Sequence, residues 1–253
     1  MAKRRKSNLD KFYTKPEIVD FCLSKINIKE FDTIIEPSAG DGSFSLKIPN
    51  CISFDIQPEH PSIIKQDYLS FNPVGLKGKI LVIGNPPFGN NSSIAFKFIK
   101  HSVYSDCIAF ILPKSFKKQS FQNRIPLNFH LKNQFDLPDN SFLLDGYEYN
   151  VPCVFQIWVK SSVTRKIPKL LKPKSFMFVK KTENPDLSIR RVGVNAGKLF
   201  EDTDRSPSSH YFIKTNDKTK FINKYNNISF DHDNTAGCNS ISKQEFIKKM
   251  DYT

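Results

Sequence analysis

The sequence predicts an α/β protein with a doubly wound, mostly parallel sheet and a smaller C-terminal region. Between about residues 14 and 160, short apolar runs such as 79–84 and 107–112 alternate with helical patterns. Runs without polar alternation are typical of parallel strands covered on both faces. Beyond residue 160 this pattern weakens, and lysines, prolines and isolated aromatics dominate. We therefore expect a main domain over residues 1–160 and a small, loop-rich second region over residues 161–253.

Each predicted element has a local signal. Thr14 is a suitable N-cap for a first helix, because Pro16 falls in its first turn and apolar residues follow at helical spacing. A further helix is predicted over 94–103, and a last one, capped by Ser242, over 244–250. The predicted strands are 33–36, 51–55, 79–84, 107–112, 129–137, 152–159, 188–194 and 211–213. The pair 129–137 and 152–159 should close the main sheet as a hairpin, which would leave one edge strand antiparallel.

The charge of the chain is strongly basic and uneven. The formal net charge is +13, and residues 161–253 hold 18 lysines and arginines against 10 acids. Such a surplus favours a polyanion such as nucleic acid, although general solubility is the simpler alternative. Lys169, Lys172 and Lys174 are the candidate phosphate contacts. Residues 1–9 form a basic arm that either contacts phosphates or has no function.

Composition argues against several other classes of protein. The chain has no apolar run of about 18 residues, so no membrane span is predicted. The basic start has no apolar stretch behind it, which argues against a secretory signal and for a cytoplasmic or nuclear protein. The five cysteines are scattered without a CxxC pair, and no histidine pair has metal-ligand spacing, so we expect no metal site. Nothing in the sequence indicates an oligomeric state.

A glycine-containing loop, 36–43, follows the first predicted strand. Its two glycines allow close approach of a ligand, and exposed amides would precede a helix start. Glu36 and Asp41 put negative charge where a phosphate-binding loop has none, which favours a cationic ligand. S-adenosylmethionine (SAM) carries a sulfonium and an ammonium and fits that requirement. An ordinary glycine turn is the alternative.

Two aspartates follow in the order expected of a nucleoside site. Asp55 ends the second strand, where a carboxylate can accept from both ribose hydroxyls, and Ile56 could pack on an adenine face. The Asp67 carboxylate could accept from an adenine amine, while the Tyr68 ring covers an edge. Taken singly, either aspartate could simply cap a strand end.

The tetrapeptide Asn85-Pro86-Pro87-Phe88 ends the apolar strand 79–84. An amide oxygen and a carbonyl can accept from an NH2 group, and an aromatic face can stack on a planar ring. The two prolines stiffen the backbone. This set suits methyl transfer to the exocyclic amine of a base; a Pro-Pro turn that closes a buried strand is the alternative.

Together these motifs resemble those of the SAM-dependent amino-methyltransferases. The loop from Glu36 through Pro37, Ser38 and Gly40 resembles their first motif, and Asn85 to Phe88 their (Asn/Asp)-Pro-Pro-(Tyr/Phe) motif. The segment 12–19, with Tyr13 and Thr14, resembles the cofactor-contacting N-terminal motif of adenine-N6 DNA methyltransferases of the gamma arrangement. The resemblance covers about residues 10–160. It implies a Rossmann-like methyltransferase sheet, a catalytic domain over 1–160 and a target-recognition region over 161–253.

By this resemblance, the Asn85 oxygen and the Pro86 carbonyl accept from the target N6 amine, and Phe88 stacks on a flipped adenine. The family places a second base-contacting aromatic in the region of Phe142, Tyr147 and Tyr149, although these residues could instead pack their loop. Lys114, after the fourth long strand, is a candidate phosphate contact or simply solvated.

The expected function is therefore SAM-dependent methylation of adenine N6 in nucleic acid, with DNA favoured. RNA is the closest alternative, because Phe88 occurs in enzymes of both kinds. A protein glutamine-N5 methyltransferase shares the tetrapeptide, but the basic C-terminal region speaks against it. A non-catalytic nucleic-acid-binding relative is a further alternative, which the intact Asn85 and acidic loop disfavour.

Overall fold

The chain folds into two compact units, 1–166 and 167–253, in a computed structural model that describes residues 12–230 and 238–253. The boundary lies close to the residue-160 boundary expected from the sequence. The basic arm 1–9 lies outside the described residues. The elements of the first unit are β1 (Tyr13–Thr14), α1 (Pro16–Ser24), β2 (Thr33–Glu36), β3 (Ile52–Asp55), β4 (Ile64–Lys65), β5 (Ile80–Gly84), α2 (Ser93–His101), β6 (Cys107–Pro113), α3 (Gln119–Gln122), β7 (Phe129–Asp136), β8 (Phe142–Leu144), β9 (Tyr147–Tyr149) and β10 (Cys153–Lys160).

A seven-stranded sheet in the order β4-β3-β2-β5-β6-β10-β7 organises the first unit. Strands β2 to β6 are parallel, with β2 pairing β5 through Ile34 and Leu81. Strand β10 runs antiparallel to both of its neighbours. The predicted α/β class with a mostly parallel sheet is confirmed.

The sequence predicted an antiparallel strand at the edge of the sheet. The edge strand β7 is indeed antiparallel to its neighbour, but that neighbour, β10, is the strand that runs against the rest of the sheet, and it lies one position inside the edge. Strand β10 is buried from Cys153 to Trp158, so it needs a neighbour on each side. Strand β7 exposes Lys132, Asn133 and Gln134 and is therefore suited to the edge. The exposed polar side chains of β7 and the buried side chains of β10 thus explain why β7, and not β10, lies at the edge of the sheet.

Apolar clusters cover both faces of this sheet. Leu81 and Ile83 pack on one face with Ile18 and Val19 of α1. Their neighbour Val82 packs on the other face, in a cluster that also includes residues of α2. Successive side chains of a strand point to opposite faces, so a continuous apolar run such as β5 requires two cores. This is the doubly wound arrangement.

Helix α1 begins as expected at Pro16, but its cap is different. The N-cap residue is Lys15, and no side chain caps the helix. The expectation that Thr14 caps it is therefore wrong, because Thr14 lies in β1 and pairs with Phe142 of β8. The helix expected after the glycine loop is only a 3-10 turn, Ser45–Lys47.

The second unit is more regular than its sequence suggested. Its elements are β11 (Phe176–Val179), β12 (Leu187–Arg190), β13 (Leu199–Phe200), β14 (His210–Thr215), α4 (Lys218–Tyr225) and α5 (Lys243–Asp251). The strands form an antiparallel sheet in the order β11-β14-β12-β13. Phe221 of α4 and Phe246 of α5 pack with Leu187 and Ile213 in its core. Ser242 caps α5 in a capping box with Glu245, as predicted.

None of the helices in residues 12–230 and 238–253 combines the length and the apolar character needed to cross a bilayer.

Candidate active site

A cavity of about 350 Å³ lies in the first unit, beside residues at the carboxyl ends of β2, β3 and β5. This is the end at which doubly wound sheets bind ligands. The cavity brings together all the residues predicted to contact a cofactor: Tyr13, Thr14, Glu36, Pro37, Ser38, Gly40, Asp55, Ile56, Asp67, Tyr68 and Asn85. The linear spacing of these motifs thus corresponds to one site in three dimensions.

The lining of the cavity has a charge opposite to that of the chain. Asp41, Asp55 and Asp67 contribute carboxylates to it, Glu36 adds a buried carboxyl, and no lysine, arginine or histidine lines it among the residues that the structure describes. In a chain of formal charge +13, this is an acidic cavity within a basic protein. Such a lining favours a cationic ligand and disfavours a phosphate group.

Glu36 is hydrogen-bonded to the backbone that directly follows the glycine loop 36–43. Its side chain is buried, and Oε2 accepts a hydrogen bond from the Ser45 N–H at 2.7 Å. Burial raises the pKa of this carboxyl to about 8, although the Ser45 hydrogen bonds oppose the shift. Glu36 therefore contributes more by holding the loop than by presenting a free charge, which refines its predicted role.

Asp55 joins the end of β3 to the same loop. Its Oδ2 accepts from the Gly40 N–H at 2.8 Å, and its Oδ1 accepts from the Gln57 N–H at 2.7 Å. Each carboxylate oxygen can accept more than one hydrogen bond, so this partly exposed group retains capacity for hydroxyls of a ligand. Ile56 follows with 48% of its surface exposed, as an apolar wall.

Asp67 and Tyr68 have different environments despite being adjacent. Asp67 is exposed and caps the turn Tyr68–Ser70 by accepting from the Leu69 N–H at 2.9 Å. Tyr68 is buried, and its hydroxyl is hydrogen-bonded to Ser102 and Tyr104. Only the ring of Tyr68 is available to the cavity, because its polar end is bound within the core.

Tyr13 lies across the glycine loop. Gly40 has φ +54°, and a Cβ atom at that position would lie 3.5 Å from the Tyr13 ring. The Tyr13 hydroxyl donates to Glu59, and burial raises its pKa, so the phenol stays protonated. Glycine at residue 40 therefore serves the backbone conformation, since a Cβ there would be in ordinary van der Waals contact with the ring.

The side-chain amide of Asn85 is fixed at its nitrogen end. Nδ2 donates to the Phe12 carbonyl at 3.3 Å and to Thr14 Oγ1 at 3.2 Å. The Phe12 carbonyl can only accept, so the nitrogen must face it. Asn85 Oδ1 is then left buried with no hydrogen-bond partner in the described part of the chain. A buried, unpaired acceptor on a cavity is costly unless a ligand supplies a donor.

The rest of the tetrapeptide is divided between the cavity and the core. Pro87 lines the cavity, whereas Pro86 is buried and does not. Phe88 is half-buried against the core face that contains Leu81, and its carbonyl accepts from the N–H groups of Ile94 and Ala95. Phe88 does not line the described cavity, so the stacking role implied by the resemblance stays a prediction.

The aromatic residues of the β8–β9 hairpin have three distinct environments. Phe142 is fully buried in the core, so its prediction as a base-contacting residue is wrong. Tyr147 is 79% exposed. Tyr149 stacks on Phe12, with ring centroids 5.1 Å apart and the planes 14° from parallel. Because the Phe12 carbonyl holds Asn85, Tyr149 is the hairpin aromatic most directly connected to the site.

Phe12 lines the cavity, although the sequence analysis included it only as part of the segment 12–19 and did not predict a role for it. Its ring stacks on Tyr149 and its carbonyl accepts from Asn85. Its side chain, however, has no polar or ionisable group that would indicate a functional residue. The available signal was its place directly before Tyr13-Thr14.

The predicted phosphate-contacting lysines lie outside the cavity. Lys114 begins a turn after β6, and its N–H donates to the Pro152 carbonyl. Lys169 and Lys172 are exposed in the second unit. Lys174 Nζ lies 3.8 Å from the centre of the Tyr252 ring. Their contacts with nucleic acid stay predictions.

No set of three or more histidine, cysteine, aspartate and glutamate side chains within 12–230 and 238–253 is placed to hold a metal ion.

No protein-family model matches the sequence, and no curated protein is detectably similar to it. Among solved structures, a candidate RNA methyltransferase of Pyrococcus horikoshii is similar at 16% identity and TM-score 0.47, over 63% of this chain and 91% of that chain. The modification subunit of a candidate type I restriction enzyme from Vibrio vulnificus matches at 14% identity and TM-score 0.44, over 93% of this chain and 56% of the other. A dimethyladenosine transferase from Plasmodium falciparum matches at 16% identity and TM-score 0.40, over 59% of this chain and 63% of that chain. None of these similarities assigns a function to this chain.

Proposed function

We propose that this protein transfers a methyl group from SAM to the exocyclic N6 amine of adenine in nucleic acid, with DNA the favoured substrate. The observation that carries the proposal is the Asn85 side chain. Its nitrogen is occupied by Phe12 and Thr14, and its buried oxygen lacks a partner among the described residues. An N–H donor on a ligand would complete its hydrogen bonding.

The lining residues fit SAM better than a dinucleotide. The cavity of about 350 Å³ lies within the usual range for small-molecule sites. Its acidic lining suits a ligand with two positive groups, whereas a pyrophosphate would be repelled. Asp55 would accept from the ribose hydroxyls, Ile56 would pack on the adenine, and Asp67 would accept from the adenine amine. Gly40, which lacks a Cβ beside the Tyr13 ring, leaves room for a ligand to approach the loop.

When bound, the cofactor supplies a methyl group that its sulfonium activates for transfer. The Asn85 oxygen and the Pro86 carbonyl each accept one N–H of the target amine. The lone pair of that amine is normally delocalised into the purine. Two acceptors favour a pyramidal nitrogen, whose lone pair is then available for in-line attack on the methyl group. The N–CH3 bond would form as the S–CH3 bond breaks, which leaves S-adenosylhomocysteine, and the surplus proton on N6 would pass to solvent. The rate enhancement would come mainly from positioning and electrostatics, and no general base is invoked.

The target base has to leave its stack to reach Asn85. Phe88 is proposed to stack on the flipped base, and Tyr149 is the second candidate because its partner Phe12 also holds Asn85. The basic residues of 161–253, including Lys169, Lys172 and Lys174, are proposed to contact the phosphate backbone. Lys114 is proposed to do the same from the first unit.

The direct test uses SAM with an isotope-labelled methyl group. The full chain would be incubated with duplex DNA, single-stranded DNA and total RNA, and the digested nucleosides would be separated by mass spectrometry. Labelled N6-methyldeoxyadenosine supports the proposal as stated. Labelled N6-methyladenosine moves the substrate to RNA and keeps the chemistry. Label found only in protein would contradict the proposal and favour a glutamine methyltransferase.

A further inference from the structure

A second concave surface lies within the second unit, and its lining includes none of the site residues named above. This groove of about 490 Å³ is lined by parts of β11 and β14 and by the start of α5. Its lining includes Lys180, Lys181, Arg191 and Lys243, and no acidic residue lines it in the described part of the chain. None of the predicted contacts Lys169, Lys172 and Lys174 lines it.

Three of the four cations in the groove keep an uncompensated charge. Lys181 forms an ion pair with Asp204 at 2.6 Å. Arg191 donates to the Ser208 carbonyl, a neutral acceptor, through two nitrogens. Neither Arg191, Lys180 nor Lys243 forms an ion pair with a carboxylate of the described residues. Lys243 is also the first residue of α5, where the helix dipole adds partial positive charge.

Aromatic faces lie beside these cations. Phe178 and Tyr211 pack edge to face with their ring centroids 5.4 Å apart. Lys243 Nζ lies 4.5 Å from the Phe178 ring centre and 5.8 Å from that of Tyr211. Interleaved cations and rings are the combination that binds unpaired nucleotides, because phosphates attract the cations while bases stack on the rings.

The wall of the groove also contains a histidine nitrogen without a partner. His210 is 6% exposed, and its Nε2 is buried with no hydrogen bond to any described residue. Nδ1 has two neighbours, Ser209 Oγ at 3.0 Å and the Ser206 carbonyl at 3.2 Å. The carbonyl can only accept, so the bond to it requires the proton on Nδ1. Burial lowers the pKa of this imidazole, and in that neutral tautomer Nε2 is an acceptor.

We propose that this groove binds an unpaired nucleotide of the substrate strand at a position other than the methylated base. Lys180, Arg191 and Lys243 take the phosphate, Phe178 and Tyr211 contact the base, and His210 Nε2 accepts an N–H from it. The proposal rests on the proposed nucleic-acid substrate. It adds a second point of attachment, in which Arg191 and Lys243 lie outside the run of cations between residues 165 and 181 and Lys180 lies within it.

The main test is charge reversal in the full chain, with Lys180, Arg191 and Lys243 all changed to glutamate. A fluorescent single strand of about 20 nucleotides would be titrated at several salt concentrations. We expect affinity to fall at least tenfold, and the slope of log K against log salt to decrease by about 2, since each lost phosphate contact removes about 0.7. The control reverses Lys220, Lys224 and Lys248, which are exposed helical lysines outside the groove. Unchanged binding, or an equal loss in the control, would overturn the proposal.

A second variant, His210→Phe, tests the nucleotide site apart from charge. It keeps an aromatic ring and removes both ring nitrogens, so we expect a several-fold loss of strand affinity with the salt slope unchanged. A melting curve checks that the variant is folded at the temperature of the assay, because the bond of Nδ1 to the Ser206 carbonyl is lost as well. Competition with inorganic phosphate at constant ionic strength completes the test. If phosphate displaces the strand and His210→Phe binds normally, the groove is an anion site only and the nucleotide assignment is wrong.

The groove assignment and the proposed methyl transfer can be rejected independently of each other. Strand binding through the groove without any methylated nucleoside would contradict the proposed function and leave the groove assignment standing. Normal methylation by the charge-reversed variant, with an unchanged KM for the strand, would reject the groove alone.

Discussion

Asn85 Nδ2 donates a hydrogen bond to Thr14 Oγ1 at 3.2 Å, which joins two segments that are 71 residues apart in the chain. Thr14 in turn pairs with Phe142 in the three-stranded sheet β1-β8-β9. The orientation of the Asn85 amide therefore depends on a strand outside the main sheet. The N-terminal motif has a structural role in the site beyond any contact it makes with a cofactor.

The first prediction concerns this hydrogen bond. Thr14→Val removes the hydroxyl and leaves only the Phe12 carbonyl to hold the amide. We expect kcat for methyl transfer to fall about fivefold, in line with the loss of roughly 1 kcal/mol for one hydrogen bond. Affinity for S-adenosylhomocysteine should change little, and Thr14→Ser should restore the rate. An equal loss in the serine variant would show that the hydroxyl is not the cause.

The second prediction concerns Asp55. Asp55→Asn removes the negative charge and allows Nδ2 to face the Gly40 N–H, which disturbs the loop. We expect binding of S-adenosylhomocysteine, measured by calorimetry, to weaken by at least tenfold. Asp139→Asn is the control, because Asp139 is an exposed aspartate that does not line the cavity. Wild-type affinity in Asp55→Asn would remove this residue from the site.

The third prediction separates backbone strain from ligand approach. Gly40→Ala and Gly146→Ala both place alanine at positive φ, +54° and +81°, and each should lower the free energy of unfolding by about 1 kcal/mol. Only the residue-40 methyl group would face the Tyr13 ring, since nothing lies within 4 Å of a Cβ at residue 146. We therefore expect weaker cofactor binding in Gly40→Ala alone. Equal binding by the two variants would contradict a close approach at residue 40.

The fourth prediction concerns pH. Burial raises the pKa of Glu36 to about 8, above the value of 4.5 for an ordinary glutamate. Between these values the folded state holds a proton that the unfolded chain has released, so this group lowers stability as pH rises from about 4.5 to 8. Urea unfolding at several pH values should show a shallower decline for Glu36→Gln than for the wild type. Identical pH profiles would show that Glu36 is not buried as described.

The sequence predicted those parts of the site whose chemistry is local. Glu36, Asp55 and Asn85 each follow an apolar strand, and parallel strands bring their carboxyl ends to one edge of a sheet. The role of Thr14 depended on pairing with Phe142, which no local pattern reveals. Phe142 was misassigned because an aromatic residue in a turn-rich segment has the same sequence signature whether it is buried or exposed.

The second unit was predicted less well for a similar reason. Its strands are short, and their core partners come from α4 and α5, far along the chain. The groove around His210 depends on four separate segments, 178–182, Arg191, 207–212 and Lys243, that meet only in the fold. Lys169, Lys172, Lys174 and Lys180 all belong to the run of cations between residues 165 and 181, whereas Arg191 and Lys243 are dispersed along the sequence.

The most direct test of the central claim is the rate of N6-methyladenine formation by Asn85→Ala, set beside the control Asn90→Ala. Asn90 is an exposed asparagine that does not line the cavity. The account predicts that Asn85→Ala loses at least a hundredfold in rate, by analogy with other lost transition-state hydrogen bonds, and still binds S-adenosylhomocysteine. The control should keep the wild-type rate. Full turnover by Asn85→Ala would contradict the assignment of its unpaired oxygen as the acceptor of the target amine.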